Sequence, residues 1–267
     1  MNNQSRAKSS TRETWKFPKN SIVRINYMRI VDDVLGNKVF DKDTAEEFLC
    51  IWFGRKIVVE KVKTQLDVGN VTGHSVRFDI LIYDVDGNVY DIELQTDPEK
   101  WPVERTDMYL SCLKPLALPK GTDYRNRKDV YLFVILEKDT KNNELCNGEF
   151  VAEFNSGNHV KEHAWYIDTS KANDSPFGEL MQDFVQRDYN KMHNKTFQKR
   201  VQYYKDMKGG LPEIMSMIED IKNEGKLEEK IEIIQEALNM GVLTVEQIAK
   251  MCSTTVEFVE QIKANNK

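Results

Sequence analysis

The spacing of apolar residues changes along the chain, and each spacing predicts a different element. Residues 43–53 place apolar side chains at helical intervals and predict a helix that ends at Gly54. Residues 56–66 alternate and are rich in β-branched side chains, which predicts a strand. Two further alternating runs, 76–83 and 88–95, predict a second and a third strand.

The chain continues with a predicted helix and then a strand that has no polar face. Residues 104–116 have helical spacing, whereas VYLFVIL at 130–136 is apolar throughout, as in a strand buried on both faces. The order helix, three strands, helix, strand predicts an α/β domain with one central sheet. Two short strands and two helices are predicted to follow, at 150–154, 164–168, 178–186 and 190–207.

The last segment is predicted to be a separate helical module. Gly209-Gly210 interrupts the chain, and Thr244 begins a capping box after Gly241. A helix-turn-helix is one interpretation of this segment. However, residues 213–267 contain eleven acidic residues and only six lysines, whereas an element that reads a DNA groove is basic. We therefore predict a flexible arm at 1–20, a main domain at 21–211 and an interaction module at 212–267, for which self-association is the candidate role.

Composition excludes several classes of protein. The net charge of -5 excludes a uniformly basic DNA-coating protein, although one face can still be basic. The four cysteines are widely spaced, so neither a zinc ribbon nor a disulfide framework is expected. The polar N-terminus does not resemble a signal peptide, and no run approaches the ~20 apolar residues of a membrane span. We expect a cytoplasmic protein without a membrane partner.

The second and third strands bring together residues that carry chemistry. Asp86-Gly87 between two alternating runs is a strong hairpin signal. If the loop is 85–87 with Gly87 left-handed, Asp79 lies opposite Glu93. Directly opposed side chains in a hairpin have Cβ atoms ~4.5–5.5 Å apart, where two carboxylates repel each other. The register therefore predicts a divalent cation between them.

Mg²⁺ or Mn²⁺ suits these ligands, because hard cations prefer oxygen donors. We expect the ligands to be Asp79, Glu93 and the main-chain carbonyl of Leu94. Gln95 projects beside Glu93 and could orient a water or a phosphate, but an amide cannot act as a general base. The alternative interpretation is a half-exposed hairpin whose polar face meets water.

The same residues resemble a known family. SVRFDILIYDVDGNVYDIELQ, residues 75–95, resembles the core of the PD-(D/E)xK nuclease family transposases, which are relatives of recombination-promoting nucleases of bacteria. The likeness spans about residues 25 to 220 and includes a helix, two loops and a strand; its further pieces are Asp32-Asp33, Val62-Lys63-Thr64-Gln65, Arg105, Tyr109, Ser111, Gly121-Thr122-Asp123-Tyr124 and residues 131–135.

The resemblance implies a restriction-endonuclease-like core, with a mixed sheet flanked by helices and a C-terminal helical appendage. It also implies a divalent metal and DNA cleavage linked to recombination or mobile elements. Asp79 and Glu93 become metal ligands, and Gln95 occupies the usual lysine position, a Glu-x-Gln variant that is common in this branch. Asp33 is a candidate accessory acid, with a helix cap as the alternative interpretation.

Phosphate contacts are expected from basic side chains. Arg105, on the helix after the hairpin, is the first candidate for a phosphate near the metal, and an ion pair with a carboxylate is its alternative. Lys195, Lys199 and Arg200 form a basic stretch that is either a DNA contact or a solvated helix face. For the whole protein, the alternative to a nuclease is a catalytically inactive DNA-binding or protein-interaction module.

Overall fold

The computed structural model describes residues 25–68, 76–138, 146–149, 162–206, 209–241 and 243–265. The predicted N-terminal arm and the predicted strand at 150–154 lie outside these residues. Within them the helices are α1 Asp33–Val39, α2 Lys42–Phe53, α3 Val103–Leu113, α4 Pro176–Val185, α5 Lys195–Lys205, α6 Leu211–Met240, α7 Val245–Met251 and α8 Val256–Asn265. The strands are β1 Val59–Val68, β2 Val76–Asp84, β3 Val89–Gln95, β4 Val130–Leu136, β5 Cys146–Glu149 and β6 Glu162–Asp168.

The strands form one mixed sheet in the order β1-β2-β3-β4-β6-β5. The pairs β1–β2, β2–β3 and β5–β6 are antiparallel, whereas β3–β4 and β4–β6 are parallel. Every residue of the central strand β4 is buried, as its continuous apolar run predicts. The mixed sheet flanked by helices confirms the predicted fold class.

Helices cover both faces of the sheet. On one face, Tyr109 and Leu113 of α3 pack with Leu132 and Val134 of β4 in a hydrophobic cluster. On the other face, Phe48 of α2 contacts the ring of Phe133 and, behind it, aromatic rings of α4. Since β3 and β4 lie between these layers, a polar side chain on β3 is deeply buried unless it is near a strand end.

The hairpin between β2 and β3 has the predicted register. Tyr83 pairs with Val89, and Gly87 has a φ of +86°, which a residue with a Cβ rarely adopts. The predicted strict alternation of β2 is wrong, however, because Phe78 and Leu81 pack in the same cluster under α3 although they are three positions apart, which strict alternation would place on opposite faces. The change of face occurs at Asp79 and Ile80, where the hydrogen-bonded ladder to β3 ends.

The chain divides into two compact units between Ile214 and Met215. The second unit is helical and has its own small core, in which Ile234 of α6 packs with Ile248 of α7 and Val259 of α8. Thr244 caps α7 in a reciprocal capping box with Gln247, as its sequence indicates. Among the helices that the structure describes, none has the length and apolar character needed to cross a membrane.

Candidate metal centre

Asp79 and Glu93 meet where the β2–β3 ladder stops. The last pair of the ladder is Ile80 with Ile92, and the same register continues to Asp79 opposite Glu93. The backbone N–H of Asp79 donates to Glu93 Oε1 at 2.9 Å, and the N–H of Leu94 donates to Asp79 Oδ2 at 3.1 Å. Each carboxylate therefore accepts from the main chain of the opposite strand and takes the place of a ladder carbonyl.

The carboxylates at this point are unusually buried. Glu93 and Asp91 are 0% exposed, whereas Asp79 is partly buried. Glu93 Oε2 and both carboxylate oxygens of Asp91 have no hydrogen-bond partner in the described part of the chain. A buried carboxylate without partners is costly unless a proton or a cation compensates it.

Burial also changes the acidity of these groups. Burial, followed by the charge of Asp33, raises the pKa of Asp79 to about 7, against the opposing effect of the Leu94 N–H. Burial raises the pKa of Glu93 well above its usual value, and the charges of Asp91 and Asp79 add to this. Burial and then the charge of Asp79 likewise raise the pKa of Asp91. The cluster is therefore poised to bind a positive charge, because a nearby cation lowers all three values.

Asp33 reaches this cluster through a side-chain amide. Gln65 Nε2 donates to Asp33 Oδ1 at 3.0 Å and to Asp79 Oδ1 at 3.4 Å. The N-cap of α1 is Asp32, and Asp33 is the first helical residue, so the interpretation of Asp33 as a helix cap is wrong. The Asp33 carboxylate also accepts a hydrogen bond from Asn37.

Arg105 is held on the same side of the sheet as Glu93. Its guanidinium lies 4.2 Å from the ring centroid of Trp101 and 5.2 Å from that of Tyr109. It donates to the Lys100 carbonyl at 3.1 Å and to the Tyr109 hydroxyl at 2.9 Å. Among the described residues it forms no salt bridge, so the predicted ion pair is not what holds it, although its charge lowers the pKa of Asp79.

The other basic candidates lie on α5. The Arg200 Nε is 2.9 Å from Asp41 Oδ2, and its guanidinium lies over the Tyr204 ring. Lys199 and Arg200 line an open cavity together with acidic side chains of α2, and Lys195 Nζ donates to Gln198 Oε1. Within the described residues, no hydrogen bond or ion pair joins these three side chains to the carboxylate cluster.

The donors at the end of the ladder suit a divalent cation. Asp79 and Glu93 offer carboxylate oxygens, and one Glu93 oxygen is unsatisfied. In a strand the N–H and C=O of one residue point the same way, so the Leu94 carbonyl lies on the side where its N–H meets Asp79. No three His, Cys, Asp or Glu side chains within the described ranges are placed to share one ion. Two carboxylates and a carbonyl are therefore the available ligand set.

Sequence analysis missed the role of Asp91. Asp91 lies two residues before Glu93 on β3, but a polar alternating face equally describes a strand that meets water. Complete burial of Asp91 follows from α3 covering that face, which is a contact between distant segments. The signal that could have found it is the pair of acids Asp91 and Glu93, two positions apart in a strand otherwise rich in apolar residues.

Comparison with known proteins identifies a family. A family model described as PD-(D/E)XK nuclease family transposase matches residues 21–173. The matched segment contains α1, the hairpin with Asp79 and Glu93, and all of α3. Neither a search of curated proteins nor a search of solved structures found a match.

Proposed function

The chain belongs to the PD-(D/E)XK nuclease family transposases, and we propose on that basis that it is a DNA endonuclease that hydrolyses phosphodiesters with bound Mg²⁺ or Mn²⁺. The observation that carries the proposal is the pairing of Asp79 with Glu93 at the end of a ladder, with a buried Glu93 oxygen left unsatisfied. A link to recombination or mobile elements is part of the proposal and rests on the family.

In this proposal Asp79, Glu93 and the Leu94 carbonyl would hold the cation. A divalent ion so held would polarise a phosphodiester and make water a stronger acid. The protein's own contribution is to fix the two carboxylates before substrate arrives, since each already accepts a main-chain N–H. Preorganised ligands avoid the cost of rearrangement during the reaction.

Gln95 and Arg105 are proposed to bind the substrate phosphate or to orient water beside it. Gln95 follows Glu93 by two residues on β3 and is partly exposed, so its amide can donate to a phosphate oxygen or accept from a water. Arg105 carries five N–H donors, of which two make the contacts to Lys100 and Tyr109. Stacking on aromatic rings restrains the guanidinium, which makes it suited to anchor a phosphate near the metal.

The test is cleavage of supercoiled plasmid DNA by the purified full chain with Mg²⁺ or Mn²⁺. Asp79→Asn and Glu93→Gln should each lower the rate at least a hundredfold, because either change removes a charged ligand. Asp86→Asn is the matched control, since Asp86 is an exposed acid in the loop of the same hairpin. Normal cleavage by both site variants, with unchanged circular dichroism, would remove the site from the proposal.

A catalytically inactive DNA-binding or interaction module is the second candidate. The net charge of -5 and the pairing of basic side chains with acids favour it; Arg200 pairs with Asp41, and both Lys114 and Arg127 pair with Glu162. Calorimetric titration with Mn²⁺ separates the two candidates. An active site binds the ion and loses it in Asp79→Asn, whereas an inactive module shows no binding that depends on Asp79.

We further propose that residues 212–267 form a module for self-association, next to a nuclease domain at 21–211. The second unit exposes large apolar side chains, including Met240 at 73% and Met251 at 54%. Such exposure is typical of interaction surfaces when the residues are contiguous. Light scattering after size-exclusion chromatography should show an oligomer that Met240→Asp with Met251→Asp dissociates; a monomeric wild type would rule this out.

A further inference from the structure

Gln65 has a backbone conformation that is unusual for its position. It lies inside β1, yet its φ is +53°, and among the described residues only Ser253 is another non-glycine residue with a positive φ. The left-handed region is disfavoured for residues with a Cβ and persists where the surrounding structure requires it. Its neighbours keep the strand register, because Thr64 still pairs with Ile80 and Leu66 with Phe78.

In this conformation the side chain of Gln65 contacts two carboxylates. Its Nε2 donates to Asp33 Oδ1 at 3.0 Å and to Asp79 Oδ1 at 3.4 Å. An amide nitrogen carries two hydrogens, so one group can satisfy both carboxylates at once. Gln65 thereby connects the start of α1 to the strand that carries Asp79.

We propose that Gln65 is a positioning residue of the metal centre, which fixes the Asp79 carboxylate and holds Asp33 beside it. The inference rests on the proposed function and extends it. Asp79 Oδ2 is already fixed by the Leu94 N–H, and the Gln65 amide restrains the other oxygen. Two bonds from different strands set the orientation of the carboxylate before a cation arrives. Because the amide is neutral, it does this without competing for the site as a lysine would.

Two substitutions separate the amide from the backbone. Gln65→Met keeps the length of the side chain and the left-handed backbone but removes the donors. Gln65→Gly removes the donors and also relieves the backbone. Partners that orient metal ligands usually change affinity by 10- to 100-fold when lost, so both variants should raise the Mn²⁺ dissociation constant at least about tenfold in calorimetric titration.

Thermal unfolding in EDTA supplies the second measurement. Gln65→Gly should have a melting temperature at least as high as that of Gln65→Met, because only the glycine variant loses the strain. Ser253→Gly is the matched control: it relieves the other positive φ, far along the chain in the second unit, and should leave Mn²⁺ affinity unchanged.

The outcomes distinguish this proposal from the one on which it rests. If the wild type binds Mn²⁺ and both Gln65 variants bind it within twofold of the wild type, the positioning role is refuted while the nuclease proposal stands. If the wild type binds no Mn²⁺, both proposals fall together. A lower affinity in both variants, with folding intact and Ser253→Gly unchanged, supports the positioning role.

Discussion

Replacing Asp79 with asparagine should stabilise the metal-free protein at pH 8. The pKa of Asp79 rises from 3.8 to about 7 in the fold, so between these values the folded state keeps a proton that the unfolded state has lost. Stability therefore falls as pH rises through this range and stays low above it. One pKa unit corresponds to ~1.4 kcal/mol, which makes the full penalty roughly 4 kcal/mol.

The gain in the variant should be smaller than this penalty. Asp79 interacts electrostatically with the buried carboxylates of Asp91 and Glu93, whose protons can redistribute when Asp79 is neutralised. Asparagine keeps an oxygen for the Leu94 N–H, so no main-chain donor is left without an acceptor. We expect about 2–4 kcal/mol at pH 8, which is on the order of 5–10 °C in melting temperature for a domain of this size.

The assay is thermal unfolding of wild type and Asp79→Asn in EDTA at pH 5 and pH 8. The advantage of the variant should shrink at pH 5, where the folded wild type is protonated. Saturating Mn²⁺ should raise the melting temperature of the wild type but not that of the variant, because a cation bound only to the folded state stabilises it. A variant that is less stable than the wild type at pH 8 in EDTA would refute the reasoning.

Two further predictions concern the surroundings of the carboxylates. Arg105→Ala should raise KM for DNA several-fold and weaken the dependence of KM on salt. If the contact of Arg105 with Trp101 is purely structural, the substitution would change stability alone. Cleavage kinetics at about 50 and 200 mM salt check this. Gly36→Ala should destabilise the protein by about 2 kcal/mol or more, because a Cβ there would lie 2.4 Å from the backbone carbonyl oxygen of Ile30, as well as 2.2 Å from the Leu94 side chain. Chemical denaturation measures the loss, and a neutral result would contradict the packing.

The hairpin could be predicted because its determinants are local. An Asp-Gly pair between two alternating runs predicts a hairpin, and once the loop is taken as 85–87 with Gly87 left-handed, the register follows. Gly87 has the expected left-handed φ, and Tyr83 pairs with Val89. The approach of Asp79 to Glu93 then follows from counting residues along two strands, with no knowledge of the remaining fold.

Other features depend on contacts between distant segments and could not be predicted by counting residues along the strands. The positive φ of Gln65 has no local signal, because glutamine is neither glycine nor asparagine. The ion pair of Arg200 with Asp41 joins α5 to the start of α2, so the basic stretch on α5 looked free in the sequence. The shift of face in β2 likewise arises only where β3 stops pairing with it.

The double role of the two carboxylates decides how the site should be mutated. Glu93 Oε1 accepts the Asp79 N–H, and Asp79 Oδ2 accepts the Leu94 N–H, so both side chains support the main chain as well as the proposed cation. Alanine at either position leaves a buried N–H without an acceptor, which costs about 1–3 kcal/mol regardless of any metal. Loss of activity in an alanine variant would therefore mix two effects. Glu93→Gln keeps the acceptor and removes only the charge, so its melting temperature in EDTA should exceed that of Glu93→Ala by several degrees. Equal values for the two variants would mean that the hydrogen bond to Asp79 contributes nothing to the fold.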